Sequence, residues 1–546
     1  MGHAVERRAG GDRAVPLLAG LLAALPVLIA RYPPMMDLPH HEEIVAILRH
    51  FGDEAYFPRG LYVLNFGHPN QLFYGLAWAL SFVVKTDLAC KIVVAAIQVS
   101  LFLAAGRLAG YLGASRWTAL LLMPVALGWT FFWGLISNLL GIAALLFALP
   151  ALDRFARSPT RRGALLASLV MLLLDTAHES AMVLGCAGLL IFALAYPLRA
   201  GATALRVLPI GSSAALYLAH QAYARPLITP SVALLPSRFT PPLDKLLSVP
   251  RSLVGHHDPF TQCLLVGVAV AAVVSLGVDR RRAGGAPWPR AFTPFVQRYR
   301  FELLALLAFA AYWVMPYGFR GATHIDQRFV APAFAVIAVA AAPRGGLVPS
   351  ALSRGLCAAV PLSVLAVVWP QFVESDRCFR DLDGIIAVVH EPSSVALIEL
   401  DPESDGVRIF SASRGASRIV AERGGRALSS LVRSQLSPVM VSPRVRWDES
   451  ECRLLVDTLR FIPAHDLTQY RYALVHDRDP RRLAIARIAM IPEARHVETF
   501  GEWMLLESTL PVAPLVSVDR ELPSPKPPSL RKRLNEVAKN SVVPLP

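Results

Sequence analysis

Long apolar runs, separated by short polar stretches, occupy the chain up to about residue 370. A hydrocarbon core roughly 30 Å thick needs about 20 apolar residues to be crossed by a helix, and many of these runs approach that length. The pattern therefore predicts a polytopic α-helical membrane protein. Its predicted spans are 15–30, 71–84, 88–112, 117–133, 134–152, 164–196, 207–224, 262–278, 301–317, 328–343 and 356–370.

The run 164–196 fits either one span or two. As a single helix it would be about 50 Å long, and Asp175, His178 and Glu179 interrupt it. Each acid near the middle of the membrane would cost roughly 2.5–3.5 kcal/mol, and a break at the outer surface between two short helices avoids most of that cost. We favour the pair of helices. In that case one of the four preceding runs, 71–84, 88–112, 117–133 or 134–152, enters and leaves the membrane on the same side. A single span with all four runs crossing also gives about eleven crossings.

The distribution of arginine orients the spans. The loop 279–300 carries six arginines, and loops rich in Lys and Arg stay in the cytoplasm. The loops 225–261 and 318–327 then face outward, as does everything after residue 370. The first apolar segment lacks a good cleavage site, which indicates a retained anchor with a cytoplasmic N-terminus.

The region 371–522 changes character and predicts a small extracytoplasmic α/β domain. Short β-branched or alternating runs predict strands at 384–390, 394–401, 470–476 and 497–507, the last interrupted by a turn at Gly501. Residues 424–436 and 449–460 are interpreted as helices. Cys378 and Cys452 are candidates for a disulfide. The tail 523–546 is rich in Pro, Lys and Arg and is predicted to be disordered.

Composition supports the membrane assignment. The chain of 546 residues is 54% hydrophobic and only 17% charged, with a mean hydropathy of +0.46. The formal net charge of +14 is explained largely by arginines in short loops. No basic stretch carries interleaved aromatic residues, so we expect no nucleic-acid partner. Richness in Ala, Arg, Gly and Pro is typical of a bacterial protein, which favours the inner membrane.

Candidate chemistry begins in the first outer loop, residues 31–70. A cluster of ionisable side chains at a membrane is energetically unfavourable, so its presence indicates a functional site. This loop opens with Asp37, His40, His41, Glu42 and Glu43. Residues 41–51 have an apolar face and predict an amphipathic helix in the membrane interface. Two structural interpretations stay open, a helix cap at Asp37 and a solvated helix start at the four residues that follow. The cluster also has the ligand types of a divalent metal, without a defined spacing.

Two further outer polar groups are candidates for substrate contacts. Asp175, His178 and Glu179 share one helical face and either form a self-satisfied polar break or contact an acceptor or metal. The segment around 318–328 offers Arg320, His324 and Arg328. Arginine binds phosphate through two parallel hydrogen bonds. Alternatively, Arg328 extends to the membrane surface or pairs with Asp326.

The chain resembles the GT-C glycosyltransferases in its layout. The shared features are an acid just after the first span, an interfacial helix and a Gly/Pro-containing entry to the second span. That family includes protein mannosyltransferases and lipid A aminoarabinose transferases, which use polyprenyl-phosphate sugars. Its start motif of paired acids, an aromatic residue and Ile-Ala is approximated by Asp37-Leu38-Pro39-His40-His41-Glu42-Glu43-Ile44-Val45. Its later Lys-Pro-Pro is approximated by His68-Pro69-Asn70. The chain departs from the family pattern at Leu38, where the second acid is expected.

The resemblance implies transfer of a sugar from a polyprenyl-phosphate carrier to a lipid, glycan or protein acceptor at the outer face of the membrane. It implies that Asp37 is the catalytic acid or base, with Glu42 or Glu43 supplying the second acid. The candidate substrate-binding residues are His41, His68, Asp175, His178, Arg320, His324 and Arg328. The sequence leaves metal dependence and oligomeric state open. The alternative is a non-catalytic membrane protein, either a transporter or an assembly scaffold.

Overall fold

The computed structural model is mostly helical and divides into two compact units. Unit 1 comprises Met1–Arg31, Phe66–Leu76 and Lys91–Gln371, and unit 2 comprises Tyr32–Asn65, Ala77–Cys90 and Phe372–Pro546. The structure describes residues 2–197, 200–224, 237–255, 258–282, 291–318, 322–344, 348–400, 414–428, 430–433, 437–442, 445, 454, 457–516 and 529–540, with the backbone alone for 2–11, 200–202 and 538–540.

The helices in chain order are α1 Gly2–Ile29, α2 Leu38–Arg49, α3 Gln71–Ser81, α4 Thr86–Tyr111, α5 Ile136–Arg157, α6 Arg161–Ala177, α7 Glu179–Ala195, α8 Ala200–Ala224, α9 Pro242–Val254, α10 Pro259–Arg282, α11 Phe292–Val314, α12 Val330–Ala340, α13 Ala351–Arg380, α14 Leu382–Val388, α15 Gly415–Arg423, α16 Pro480–Ala489 and α17 Leu530–Asn540. Within unit 1, α7 packs against α5 and α11, and α6 packs against α8.

The predicted spans fall largely on helical backbone. One exception is 117–133, which begins as a 3-10 helix, Arg116–Leu122, and continues as short helical turns. Among the described residues, five helices are long and apolar enough to cross a membrane, namely Asp12–Ile29, Thr86–Tyr111, Ile136–Arg157, Pro259–Arg282 and Ala351–Val388. The apolar helices thus suggest a membrane-embedded protein, and the count of eleven spans stays a prediction.

The run 164–196 is two helices, as favoured from the sequence. α6 and α7 are each 17 residues long and meet at His178, whose backbone is extended (φ −169°, ψ 140°). The His178 imidazole accepts a hydrogen bond from the backbone N–H of Ser180 and so caps α7. A cap of this kind satisfies an orphan donor at the start of α7, which explains why the chain restarts a helix here.

A five-stranded sheet forms the centre of unit 2. Its strands are β2 Ser393–Glu399, β3 Gly425–Ala427, β5 Tyr472–His476, β6 Ala494–Phe500 and β7 Trp503–Ser508. Their order across the sheet is β3-β2-β5-β7-β6. β2 is parallel to β3 and to β5, whereas β7 runs antiparallel to β5 and to β6. Every residue of β2 and β5 is buried, as expected for central strands.

The first loop of the chain folds together with the C-terminal region inside unit 2. β1 Tyr62–Leu64 pairs antiparallel with β4 Val439–Val441. The backbone N–H of Gly425 donates to Tyr56 O (3.0 Å). Gly424 has φ +82°, and an added Cβ would lie 2.2 Å from that same carbonyl oxygen, so this close approach requires glycine.

Three sequence predictions for unit 2 are wrong. Residues 41–51 are not an interfacial amphipathic helix, because Leu38 to Leu48 of α2 are all buried in the protein. The predicted strand 384–390 is helix α14, in which Leu382, Ile385 and Ile386 bury one face at helical spacing. The predicted helix 424–436 begins with strand β3, because Gly424 and Gly425 both adopt positive φ.

The other predictions hold, are wrong in part or lie outside the described residues. Strands β2 and β5 and the hairpin of β6 and β7 fall where the sequence placed strands, with the turn at Gly501. The described part of 449–460 includes a 3-10 helix, Thr458–Arg460. Cys452 lies outside the described residues, so its pairing with Cys378 stays a prediction. The prediction of a disordered tail is wrong for Leu530–Asn540, which form helix α17, because Leu530 is buried in the core of unit 2 and Arg533 pairs with Glu493. The tail residues 523–528 and 541–546 lie outside the described residues.

Because residues 32–65 and the C-terminal region share one folded unit, they must lie on one side of any membrane. We expect Glu54→Cys and Arg481→Cys, both at exposed positions, to react with a membrane-impermeant maleimide from the same side of sealed cells. The measurement is the maleimide labelling of each variant before and after permeabilisation of the cells, after subtraction of the labelling of the unmodified chain. Arg162→Cys serves as the comparison, because the loop 153–162 carries four arginines and is therefore predicted to be cytoplasmic. Labelling of the two cysteines from opposite sides would contradict the fold of unit 2.

Candidate functional site

The polar start of α2 is buried inside unit 2. His40, His41, Glu42 and Glu43 are between 0% and 6% exposed. The interpretation of a solvated helix start is therefore wrong. Burying ionisable groups is unfavourable unless they are neutral or paired, so the partners of this cluster determine what it does.

Glu42 is paired with an arginine from the C-terminal region. Its Oε2 accepts a hydrogen bond from Arg418 Nη1 of α15 (2.5 Å), and both side chains are almost fully buried. The Arg418 guanidinium also lies 4.3 Å from the centre of the Tyr32 ring, and its Nη2 is 3.8 Å from Asp87 Oδ2. These contacts fix Glu42 as part of the core of unit 2.

Asp37 lies one residue before α2 and remains partly accessible. Its side chain is 14% exposed, and its Oδ1 lies 3.3 Å from Arg414 Nε, whose side chain is 24% exposed. Asp37 makes no side-chain cap to α2, so the cap interpretation is not supported. The pair of Asp37 and Arg414 is therefore a carboxylate and a guanidinium that both reach the surface.

His40 lies beside this pair in a neutral state. Burial, assisted by the Arg414 guanidinium and by His41, holds the pKa of His40 well below its ordinary value. Its Nδ1 is 3.7 Å from Asp37 Oδ1, which is too long for a hydrogen bond. Arg414 is thus the charged partner of Asp37, and His40 adds little positive charge.

A second polar group lies in unit 1, at the break between α6 and α7. His178 Nδ1 is 2.7 Å from Ser180 Oγ and 3.3 Å from Asn138 Nδ2, which also donates to Ser180 Oγ (3.0 Å). Since the backbone N–H of Ser180 also donates to Nδ1, that nitrogen is the acceptor and a neutral ring carries its proton on Nε2.

Glu179 pairs with the predicted phosphate ligand Arg328. Its Oε1 lies 3.0 Å from Arg328 Nη1, and the Asn70 side chain also hydrogen-bonds Glu179. Asp326, the alternative partner of Arg328, instead pairs with the buried Lys245 at 3.2 Å. The structure thus brings the end of the first loop, the α6–α7 break and the start of α12 together in unit 1.

His68 is fully buried in the same unit, with its ring 5.4 Å from that of His220. Burial lowers the pKa of His68 to about 4, so it is neutral at neutral pH. His324, at φ +59°, lies against the Trp133 ring (4.1 Å) and bonds Gln327 Oε1 through Nδ1 (2.8 Å).

Two predicted residues do not join these groups by any described contact. Asp175 is fully buried, and neither of its carboxylate oxygens has a hydrogen-bond partner among the described residues. Arg320 lies outside the described residues. Of the remaining predicted residues, Asp37, His41, Glu42 and Glu43 belong to unit 2, and His68, His178, His324 and Arg328 belong to unit 1.

Sequence reasoning missed the arginines that complete the unit 2 cluster. Arg414 and Arg418 lie more than 370 residues after their acidic partners, and no local pattern connects them. The available signal was Arg418 itself, a charged residue in the otherwise small and apolar stretch 415–420. Asn70, whose side chain hydrogen-bonds Glu179, entered the sequence analysis only as part of His68-Pro69-Asn70.

The chain matches no model of a known protein family, and no curated protein matches it at a significant level. The functional proposal below therefore rests on the residues and on their geometry.

Removing one partner of the buried Glu42–Arg418 pair should destabilise unit 2 more than removing both. We expect Arg418→Met to lower the free energy of unfolding by about 3–5 kcal/mol, because it leaves a buried carboxylate unpaired. Adding Glu42→Gln should recover part of that loss. The measurement is denaturant unfolding of the full chain in detergent, with the exposed Arg481→Met as control. Additive effects of the two substitutions would contradict a direct pair.

The neutral state of His68 predicts a loss of stability in acid. The unfolded chain binds a proton at His68 near pH 6.5, whereas the folded chain binds it only near pH 4. Stability should therefore fall as the pH falls through this range, by up to about 3 kcal/mol in total.

The midpoint of thermal unfolding, measured between pH 7 and pH 5, should decrease less in His68→Gln than in the unmodified chain. His50→Gln, at a more exposed position, is the control. An unchanged pH dependence in His68→Gln would show that His68 does not contribute to it.

Proposed function

We propose that the protein is a membrane glycosyltransferase of the GT-C type. It moves a sugar from a polyprenyl-phosphate carrier to a lipid, glycan or protein acceptor at the outer face of a bacterial inner membrane. The observation that carries the proposal is the pair of Asp37 and Arg414, a carboxylate and a guanidinium 3.3 Å apart and both partly accessible. They lie just before α2 and just before α15, respectively.

Asp37 is the base in this proposal. The acceptor hydroxyl must lose its proton as its oxygen bonds to the anomeric carbon, and a carboxylate within hydrogen-bond reach can take it. Glu42, which follows in α2, is almost fully buried and held by Arg418. Glu43 and His41 are buried as well. Asp37 is therefore the acid of the cluster best placed to meet a substrate, and the other three position α2.

Arg414 binds the leaving group. The bond between the anomeric carbon and the phosphate oxygen breaks, and its electron pair leaves with the polyprenyl phosphate, which gains negative charge. A guanidinium stabilises that charge through directed hydrogen bonds. The proposal assigns this role to Arg414, so that the carboxylate that takes the proton and the cation that holds the phosphate are adjacent in one site.

The proposed membrane arrangement has about eleven crossings, a cytoplasmic N-terminus and an extracytoplasmic unit 2. The folding of the first loop with the C-terminal region supports this arrangement, because both were placed outside from the sequence. That His68, His178, His324 and Arg328 of unit 1 contact the substrate stays a prediction from the sequence. Arg328 would bind phosphate only by exchanging its present contact with Glu179.

The second candidate is a non-catalytic assembly protein. The specific observation in its favour is that Asp37 and Glu42, two acids of the α2 region, are each paired with an arginine of the same unit. Pairs of this kind also serve to attach α2 to α15. The two candidates differ in whether Asp37 is needed for chemistry or only for folding.

Transfer activity of the unmodified chain separates these candidates, and replacing Asp37 tests its role as the base. We expect Asp37→Asn to lower transfer from a polyprenyl-phosphate sugar by about 10²- to 10⁴-fold, because the amide cannot accept the acceptor's proton. Asp53→Asn, at an exposed acid of the same loop, is the matched control and should retain activity. Arg414→Lys should lose most of the donor affinity, because an ammonium cannot reproduce the two parallel hydrogen bonds.

Transfer is measured with purified full-length protein, using radiolabelled lipid-linked sugars and a panel of lipid acceptors. The melting temperature of each variant is recorded in parallel. A variant Asp37→Asn that stays folded and transfers sugar at the unmodified rate would show that Asp37 is not the base. Absence of transfer by the folded, unmodified chain across the whole panel of donors and acceptors would overturn the enzyme and favour the assembly protein.

A further inference from the structure

Cys378, His476 and Glu502 lie together in unit 2, apart from the residues assigned to glycosyl transfer. Cys378 is near the end of α13, His476 ends β5, and Glu502 lies in the turn between β6 and β7. Cys378 Sγ is 3.7 Å from His476 Nε2, which is 3.4 Å from Glu502 Oε2. One ligand atom from each residue lies within 4.8 Å of the other two.

The separation of His476 from Glu502 fits a shared metal ion better than a direct hydrogen bond, and the separation of Cys378 from His476 is compatible with either. Tetrahedral zinc with bonds of about 2.3 Å to sulfur and about 2.0–2.2 Å to nitrogen and oxygen separates its ligand atoms by about 3.3–3.6 Å. The 3.4 Å between His476 Nε2 and Glu502 Oε2 lies in that range, and the 3.7 Å from Cys378 Sγ to Nε2 lies close to it. A good N–H···O hydrogen bond would be shorter, at about 2.7–3.2 Å.

Neighbouring groups hold the three side chains in place. Trp503 donates its indole N–H to the backbone carbonyl of Cys378 (2.8 Å), and its ring lies 4.5 Å from that of His476. Arg377 donates to Glu502 Oε1 (2.7 Å), which leaves Oε2 directed toward His476. Contacts that orient the ligands from behind are typical of metal sites.

The burial and chemistry of the residues agree with zinc. Cys378 and His476 are 1% and 4% exposed, whereas Glu502 is only partly buried. A thiolate and a carboxylate together neutralise a divalent cation, and sulfur with imidazole selects a borderline metal over Mg²⁺ or Ca²⁺. A tetrahedral zinc ion held by three protein ligands would take a water molecule as its fourth ligand.

We propose that Cys378, His476 and Glu502 bind one zinc ion that fastens the end of α13 to the sheet of unit 2. Binding displaces the thiol proton of Cys378 to solvent and ties together three segments distant in sequence. The site stabilises the fold and takes no part in glycosyl transfer, so this proposal stands or falls independently of the proposed function.

The first test is the metal content of the full-length chain. The chain is purified without a polyhistidine tag, exposed to Zn²⁺ and then dialysed. We expect one zinc per chain, and loss of that zinc in Cys378→Ser and in Glu502→Gln. Cys357→Ser, a buried cysteine elsewhere in α13, and His496→Ala are the matched controls and should keep it. A chelator should lower the melting temperature of the unmodified chain but not that of Cys378→Ser.

Cobalt substitution tests the ligands without depending on the folding of a variant. Co²⁺ bound to the unmodified chain should give a thiolate charge-transfer band in the near ultraviolet and the visible absorption of tetrahedral cobalt. Absence of both signals, together with absence of bound zinc, would overturn the proposal. Mass spectrometry of alkylated protein detects whether a disulfide joins Cys378 to Cys452. Such a disulfide would also overturn the proposal, because it would leave no thiolate for a metal.

Discussion

The buried ion pair of Glu42 and Arg418 is the interaction on which the architecture of unit 2 depends. An unpaired charge in that position would be strongly destabilising, so the guanidinium from α15 stabilises the packing of α2 against α15. The pairing also determines what lies next to it. Arg414 precedes Arg418 by one helical turn and Asp37 lies just before α2, so attaching the two helices brings the partly accessible carboxylate and guanidinium together.

This arrangement separates two roles within one polar cluster. The inner residues, Glu42 and Arg418, are shielded from water and hold the helices. The outer residues, Asp37 and Arg414, retain partial access to solvent. In unit 1, the pair of Glu179 and Arg328 and the cap of α7 by His178 similarly organise the residues around one helix break. A rigid, internally paired support is what an accessible pair needs to keep its geometry.

Local patterns predicted much of the fold. Apolar runs located the helices, the polar residues around His178 located the break between α6 and α7, and β-branched runs located β2 and β5. Predictions failed where distant contacts decide. An apolar helix face buried by protein has the same periodicity as one buried by lipid, so α2 was assigned to the membrane interface. The polar cluster itself was predicted as a site, but its arginine partners were not, because nothing near Asp37 in the sequence indicates Arg414.

The most direct test of the account is a structure of the full-length protein with a polyprenyl-phosphate sugar bound, determined by electron cryomicroscopy in a lipid nanodisc. The account predicts phosphate density against the Arg414 guanidinium, with the anomeric carbon of the sugar facing the Asp37 carboxylate. Phosphate bound away from Arg414, with Asp37 still closed by its ion pair, would contradict it.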